Sequence, residues 1–573
     1  MDIHSIVLKK ISIILQKMKI VGISLIRLKT SENEKFGDYQ INGIINIAKK
    51  NDIEVSYLSQ CFIFCLKKNK IFSKIEMTKL GFINLFLNTK WIERLLLIFF
   101  KKKNFCFYKT KNSKIILDYS SPNLAKSMHI GHIRSTIIGD CFARVFSFLG
   151  NKVIRINHLG DWGINFGILI AYIIKYKIKK YENILFLDAV YKKARKMYEK
   201  DKEFSYFAEN CAFKLQNKDK LCTDIWKRIT NVSIKENQKI YNLLDIKLSL
   251  KNNLGESFYN TTIKKVIEKL KYKKIANNKN NKIVVFLKNF KNRDNKNMGV
   301  ILKKNGLYLY AATEIACLKY RYKKFLPKKI IYCIDTRQKQ HLMQSWEICR
   351  KASFVPKNLI LQHYNFGMIL NSKRKPFKTR SGKTVNLKGI INRFIKDTKK
   401  VIFARNSGIQ KEKLEKLSQV LGIGSIKYFE LSKNRKLDYV FNFDNMLKFK
   451  GNTVLYIQYT YCRILSLLKK NKYFSYKEKK KKIIISSIEE KKLAIQILRL
   501  GETLSILQKF KMPNILCEYL YKIALLFSIF YEKFNIMNSK KNKKISRLHL
   551  SYLSAKIIKL CLNFLGIKTV KEI

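Results

Sequence analysis

Residues 118–167 read DYSSPNLAKSMHIGHIRSTIIGDCFARVFSFLGNKVIRINHLGDWGINFG, and the order of local preferences in that stretch decides the fold class. The β-branched pair Ile115 and Ile116 leads in as a strand, and Ser120-Ser121-Pro122-Asn123 turns the chain. His129-Ile130-Gly131-His132 then opens a helix of roughly four turns, and Lys152 to Ile156 follows as a second strand at the spacing of a parallel β-α-β unit. A strand, a Gly-containing turn and a helix N-terminus make a phosphate site, because unpaired N–H groups and the positive dipole end face the anion. His129 and His132 are spaced to point the same way from the first turn, and Gly131, lacking a side chain, lets a flat ring lie against the backbone. Asn157-His158-Leu159-Gly160-Asp161-Trp162-Gly163 closes the second strand with polar groups at a carboxyl end, where parallel sheets bind ligands. Either cluster alone is a weak signal, an incidental His pair or an ordinary turn. Together, at this spacing, they point to a nucleotide-binding α/β fold.

Outside that stretch, composition sets bounds. A chain of 573 residues is too long for one core, so three or more domains are expected. Lys and Arg number 117 against 40 Asp and Glu, a net charge of +77, which suits a polyanion such as RNA through counterion release. Lys, Asn, Ile, Phe and Tyr are all enriched, however, with 5 Pro and 22 Gly, the pattern that an AT-rich, reduced bacterial genome imposes on any protein. Charge by itself therefore leaves nucleic-acid binding undecided. The 12 cysteines form no Cys-x-x-Cys pair, which argues against a zinc site and a disulfide framework and for a reducing compartment, the cytoplasm. Lys9, Lys10, Lys17 and Lys19 interrupt the N-terminus, and the apolar run Ile523 to Tyr531 is about half a membrane span, so a soluble protein with no membrane partner is expected.

In chain order, residues 1–112 read as a small α/β domain ending in a basic linker. Phe36-Gly37-Asp38-Tyr39-Gln40 is expected to begin an amphipathic helix through Ile44, Ile45 and Ala48, while 81–87 alternates like a strand. The domain from 113 to 395 carries an insertion over about 171–300, in which Trp226 and Leu215 take core-like positions. Glu256 within GESFY is either a substrate acceptor or, the commoner case, a structural carboxylate. Residues 306–316 return to the sheet as a strand and a helix start, with Tyr310 and Glu314 four apart and able to face one pocket. A carboxylate and a phenol converging on a cleft suit a guanidinium, a planar fork of donors. Ile331 to His341 is an apolar strand with a polar rim, in which His341 reads equally as a packing residue at a helix start. Lys373 to Arg380 packs five cations into eight residues, ordinarily a solvated face. Residues 396–450 form a helical junction and 451–573 a helical domain, whose tyrosines around Arg463 either stack on bases or pack a bundle.

The HIGH tetrapeptide, with Ser121-Pro122-Asn123, Ala125-Lys126, Arg134 to Asp140 and the GDWG at 160–163, resembles the signature region of the class I arginyl-tRNA synthetases. The resemblance runs in order from Phe36 to Val570. It implies an α/β multidomain fold: a Rossmann-type parallel-sheet catalytic domain with helical insertions, a small N-terminal α/β domain that touches the outer corner of tRNA, and an all-α C-terminal anticodon-binding domain. It implies ligation of L-arginine to tRNA(Arg) through an arginyl-adenylate, formed in most members only with tRNA bound. His129 and His132 would donate to the triphosphate, and Ser120, Pro122, Ala125, Gly131, His341 and Met368 would line the ATP site. Asn123 and His158 would hold the arginine backbone end, Asp118, Tyr310 and Glu314 its guanidinium, with help from Gln338. Lys375, Lys378 and Arg380 would clamp the triphosphate from the family's version of the KMSKS loop. ATP would bring Mg²⁺, no zinc or other metal would be protein-bound, and a monomer is the family habit. The chain departs from the family in placing Glu314 where Asp is usual, Ala311 and Ala312 for threonines, and no glycine at 371–374. Two alternatives stand beside this reading: a class I synthetase for another amino acid, and a non-enzymatic RNA-binding descendant.

Overall fold

The computed structural model describes every residue except 1, 32, 79, 102–112, 182, 292–296, 305, 372, 376–385, 442–445, 472 and 474–482. The chain forms two compact units, Lys109–Leu447 with Asn563–Lys568, and Met1–Tyr108 with Lys448–Leu562 and Thr569–Ile573.

The first of these is built on a four-stranded sheet ordered Ile360–His363, Lys329–Tyr332, Lys114–Asp118, Lys152–Ile156, with every neighbour parallel. Ile115, Ile116 and Leu117 are buried in succession, as expected for a strand covered on both faces. The second strand spans Lys152–Ile156, and the helix between the first two runs Ile130–Phe148, about a turn longer than its sequence suggests. Chain order reverses between Lys114–Asp118 and Lys329–Tyr332, which opens a crevice at their carboxyl ends, where Asp118 lies opposite Tyr332. Helices Ile184–Lys200, Lys202–Gln216 and Lys220–Leu243 form the insertion and enclose a core with Leu215 inside it and Trp226 packed against it.

Two sequence expectations are corrected here. Leu307–Tyr308 does not return to the parallel sheet; it pairs antiparallel with Asn297–Lys304 in a separate sheet with Lys282–Lys291 and Asn277–Lys279. The tight turn at Gly306 folds this run back onto Lys303 and Lys304, so its backbone pairs there before the helix Tyr310–Phe325 begins, although that helix does start at Tyr310. In the other unit, 36–48 is not one helix. Tyr39–Asn42 is a strand whose Tyr39 and Ile41 are fully buried, Gly43 turns at φ +101°, and the helix is confined to Ile44–Lys50. A Cβ at Gly43 would meet the Leu25 carbonyl oxygen at 2.4 Å, so the turn needs glycine and a continuous helix cannot form. That strand belongs to an antiparallel sheet ordered Arg27–Thr30, Tyr39–Asn42, Ile83–Leu87, Phe72–Met77.

The same unit holds the helices Val454–Lys470, Ile488–Leu498, Leu500–Phe510 and Asn514–Lys533. Asn514–Lys533 is long and apolar enough to cross a membrane by length and composition, yet its Leu516, Leu520, Ile523, Phe527 and Phe530 are buried in the bundle. Of the tyrosines read as base-stacking or packing, Tyr461 is buried, Tyr456 bonds Ser528 at 3.1 Å, and Tyr459 is exposed.

Two buried cations hold the sheet-bearing unit together. Arg134, on the helix opened by the histidines, donates to Glu430 at 2.6 Å and to the carbonyls of Gly367, Leu437 and Arg435 at 2.8, 3.1 and 3.3 Å. Lys427 donates to the carbonyls of Leu244 and Gly566, both at 2.6 Å, which seats the Asn563–Lys568 tail beside Asp140 and Arg144.

Candidate active site

The crevice at the strand reversal opens into a cavity of about 470 Å³. Asp118, Asn123, Ala125, His158, Tyr310 and Gln338, six of the residues singled out from sequence, share its wall. The turn that leads into it is strained: Ser120, Ser121 and Ala125 all sit at positive φ, 75°, 48° and 63°. Non-glycine residues persist in that region where surrounding structure holds them, as at ligand sites. Here Ser135 Oγ accepts from the Ser120 N–H at 2.9 Å, Asn157 Oδ1 from Ser121 at 3.0 Å and Ser233 Oγ from Ala125 at 3.0 Å.

The two signature histidines cap their own helix. His129 Nδ1 accepts from the Gly131 N–H at 3.0 Å, and His132 Nδ1 accepts from the His129 N–H at 3.1 Å, with the ring centroids 3.9 Å apart. Each ring thereby carries its proton on Nε2 and offers it outward. Burial, then Lys126 and Arg337, lowers the His129 pKa; burial, then His129, takes His132 down to about 3. Both are neutral donors. The expectation that the helix's own N–H groups face an anion is corrected at these positions, because the imidazoles have claimed them. Gly131 serves the same arrangement: a Cβ there would lie 2.8 Å from His129 Cε1, so the flat ring on its backbone is the protein's own.

Of the carboxyls in this region, Asp118 and Glu256 line the cavity, whereas Glu314, Asp161 and the two signature histidines are off its wall. Asp118 is nearly fully buried, with Oδ2 2.7 Å from Arg321 Nη2 and Oδ1 accepting from Ser121 Oγ at 2.8 Å. The Arg321 contact is an ion pair without an aligned hydrogen bond. Glu314, also buried, lies 3.5 Å from His158 Nε2, again without hydrogen-bond alignment. Asp161 accepts from the Ser257 N–H at 2.9 Å and from its hydroxyl at 2.6 Å, and so holds the turn that brings Glu256 to the cavity wall. Burial, then Asp161, then Glu314, raises the Glu256 carboxyl to about 8. Tyr310 stacks on His341, with centroids 4.4 Å apart.

Other sequence-derived candidates lie elsewhere. Ser120 bonds Tyr241 and Thr136 at 2.8 Å each, and the Pro122 carbonyl accepts from Gly160; neither is on the wall. The Met368 N–H donates to Asp438 beside the short strand Ile369–Leu370, and Lys375 is exposed. Lys378 and Arg380 lie outside the described residues. Sequence reading passed over Lys126, whose ammonium lies 3.9 Å from the centre of the Tyr191 ring at the wall, and Trp162 and Gln216, whose Nε1 and Nε2 lack partners. The place of Lys126 in the Ala125-Lys126 pair of the signature stretch is the signal that points to it; nothing local marks Gln216.

Comparison with known proteins decides the family. The profile described as tRNA synthetases class I (R), catalytic domain, matches residues 95–443, the DALR anticodon binding domain matches 457–573, and the arginyl tRNA synthetase N terminal domain matches 5–87. A Wigglesworthia glossinidia brevipalpis protein named arginine–tRNA ligase is 45% identical over 578 residues, covering 100% of both chains. The chain belongs to the arginyl-tRNA synthetase family. Another arginine–tRNA ligase, from Buchnera aphidicola subsp. Schizaphis graminum, is 45% identical over 95% of each chain. The crystal structure of the Plasmodium falciparum arginyl-tRNA synthetase matches with a TM-score of 0.85 and 31% identity over 100% of both chains. The histidine-capped helix, the strand reversal and the acid-lined cavity thus occur within an arginyl-tRNA synthetase fold.

Proposed function

We infer that this chain ligates L-arginine to tRNA(Arg) in two ATP-dependent steps. The arginine carboxylate attacks the α-phosphorus of ATP in line, giving arginyl-adenylate and pyrophosphate, and a terminal ribose hydroxyl of tRNA then takes the arginyl group. The observation that carries this reading is the cavity at the strand reversal, with the carboxyls of Asp118 and Glu256 on its wall together with Asn123 to Lys126, the segment that leads into the histidine-capped helix. Neutral amino acids would leave those carboxyls unpaired, which a binding site penalises strongly.

The chemistry needs no nucleophilic side chain; it rests on position and electrostatics. Nε2–H of His129 and His132 donates to the triphosphate as charge moves off the α-phosphorus, and each is aimed by a bond its Nδ1 already makes. Lys126, held over Tyr191, adds a cation on the same side. Asn123 and His158 hold the arginine backbone end. Glu314, Glu256 and Tyr310 receive the guanidinium, with Gln338 at the rim. Asp118 takes a supporting part in this proposal, because Arg321 already neutralises it. Lys375, Lys378 and Arg380 clamp the departing pyrophosphate, and ATP enters as its magnesium salt. Residues 1–112 bind the outer tRNA corner, 113–395 catalyse, 396–450 join, and 451–573 bind the anticodon arm. The protein works as a cytoplasmic monomer with no membrane partner. Arginine-dependent ATP–pyrophosphate exchange, with and without cognate tRNA, tests the reading. Exchange with arginine is the expected result, and folded protein that exchanges with no amino acid overturns it.

A further inference from the structure

The cavity wall carries more donors than the first two reactants can engage. Among the described residues, His158, Trp162 and Gln216 line it with buried ring or amide nitrogens that have no hydrogen-bond partner. A buried donor without an acceptor costs free energy, so each such group calls for a ligand atom to meet it. Gln216 is the best defined of the three. It ends the insertion helix Lys202–Gln216 and is 8% exposed. Asn260 Nδ2 donates to its backbone carbonyl at 2.8 Å, and the Tyr308 N–H donates to its side-chain Oε1 at 3.3 Å. A backbone N–H can only donate, so that contact fixes which end of the amide is oxygen. The other end, Nε2–H₂, is left with no acceptor among the described residues, on a side chain that lines the cavity.

The acceptors that the reactants bring decide what meets it. A guanidinium is all donors, and arginine's one carboxylate is already assigned to Asn123 and His158. The phosphates of ATP are assigned to His129 and His132, which lie off this wall, as do Ser120, Pro122 and Met368. The third reactant, the 3′-terminal adenosine of tRNA, must enter the same cavity for its ribose hydroxyl to reach the arginyl carbonyl, and its ring nitrogens and ribose oxygens are acceptors. Trp162 and Tyr308, half-buried on the same wall, offer aromatic faces of the kind on which bases stack. At about 470 Å³ the cavity falls in the ~300–1,000 Å³ range of sites that enclose a drug-sized molecule, which leaves room beside an amino acid. We propose that Gln216 binds the 3′-terminal adenosine of tRNA, its Nε2–H donating to an acceptor atom of that nucleoside. The inference rests on the cavity being the site of arginyl transfer. It gives the insertion a part in the second step, because the helix that ends at Gln216 then holds the nucleotide that receives the arginyl group.

The test is a binding cycle on the full chain, with tRNA(Arg) and the same tRNA lacking its 3′-terminal nucleotide as the two ligands. Gln216→Met keeps the length of the side chain and removes its N–H₂. It should weaken binding of the intact tRNA by ~5–10-fold and leave the shortened tRNA within about twofold of the unaltered chain. A purely structural role would weaken both alike. Gln216→Glu, an independent variant, still accepts from the Tyr308 N–H while lacking the N–H₂, and should show the same selective loss. In pyrophosphate exchange at saturating tRNA, the arginine KM should stay within about twofold for both variants. Equal losses for the two tRNAs, or no loss for either, overturn the proposal and leave the proposed activity standing. A raised arginine KM with tRNA binding unchanged does the same. Folded, unaltered chain that binds neither tRNA removes that activity and the proposal with it.

Discussion

Replacing His132 with alanine separates two jobs that one imidazole performs. Its Nδ1 accepts from the His129 N–H at 3.1 Å, so the substitution removes half of a reciprocal cap, a loss of about 1 kcal/mol in stability. Its Nε2–H is the proposed donor to the triphosphate, and loss of one such preorganised donor costs ~10²–10³-fold in rate. His132→Ala should therefore slow arginine- and tRNA-dependent pyrophosphate exchange by that larger factor while denaturing only slightly earlier. His132→Asn should recover the stability, since its amide oxygen can accept from the same N–H, and recover the rate in part, because its amide N–H reaches less far. The pH dependence carries a sign. With His132 at about 3 and His129 also lowered, both rings act neutral, so exchange should show no loss of histidine origin as pH rises from 6 to 8. Imidazolium donors would lose activity through that interval. A break near pH 6.5 that disappears in His132→Ala, or a rate loss under tenfold, would refute the neutral-donor arrangement.

Glu314→Gln should raise the arginine KM by ~10–100-fold, the loss of one charge-assisted hydrogen bond, and leave the ATP KM nearly unchanged; steady-state exchange at varied arginine and ATP checks this. Arg134→Met leaves Glu430 buried without its cation and should cost ~3–5 kcal/mol in a urea melt, with Arg134→Lys restoring little because a single ammonium cannot reach four acceptors. Lys427 is lowered by burial to about 8, below its unfolded value, so the unfolded chain binds more protons between there and pH ~10.4. Stability should accordingly rise by ~1.5 kcal/mol from pH 8 to pH 9.5 in the unaltered chain relative to Lys427→Met, as read by chemical denaturation.

Where local chemistry decides, the sequence was readable. Lys152–Ile156 and the helix start at Tyr310 followed from period and turn residues, and the two histidines followed from their spacing. Residues 36–48 misled because Ile41, Ile44, Ile45 and Ala48 follow the helical i, i+3, i+4, i+7 spacing, while the strand Tyr39–Asn42 is only four residues long before it ends at Gly43. Other features depend on partners far along the chain. Arg321 meets Asp118 from the helix Tyr310–Phe325, Gln216 and Tyr191 reach the cavity from the insertion, and Asp161 presents Glu256. No window of neighbouring residues contains those pairings. The histidine cap was hidden for a subtler reason: the motif was visible, but the direction of each ring nitrogen is a property of the folded turn.

Arg134 shapes how this protein tolerates change. Three of its four acceptors are backbone carbonyls, at Gly367, Arg435 and Leu437, which exist whatever side chains those positions carry. The grip of the signature helix on the segment leading to the cation-rich stretch therefore depends on the identities of Arg134 and Glu430, and hardly on those of the residues it grips. In a composition skewed so far toward lysine and isoleucine, a joint of this kind lets most of its surroundings drift while its geometry is inherited intact.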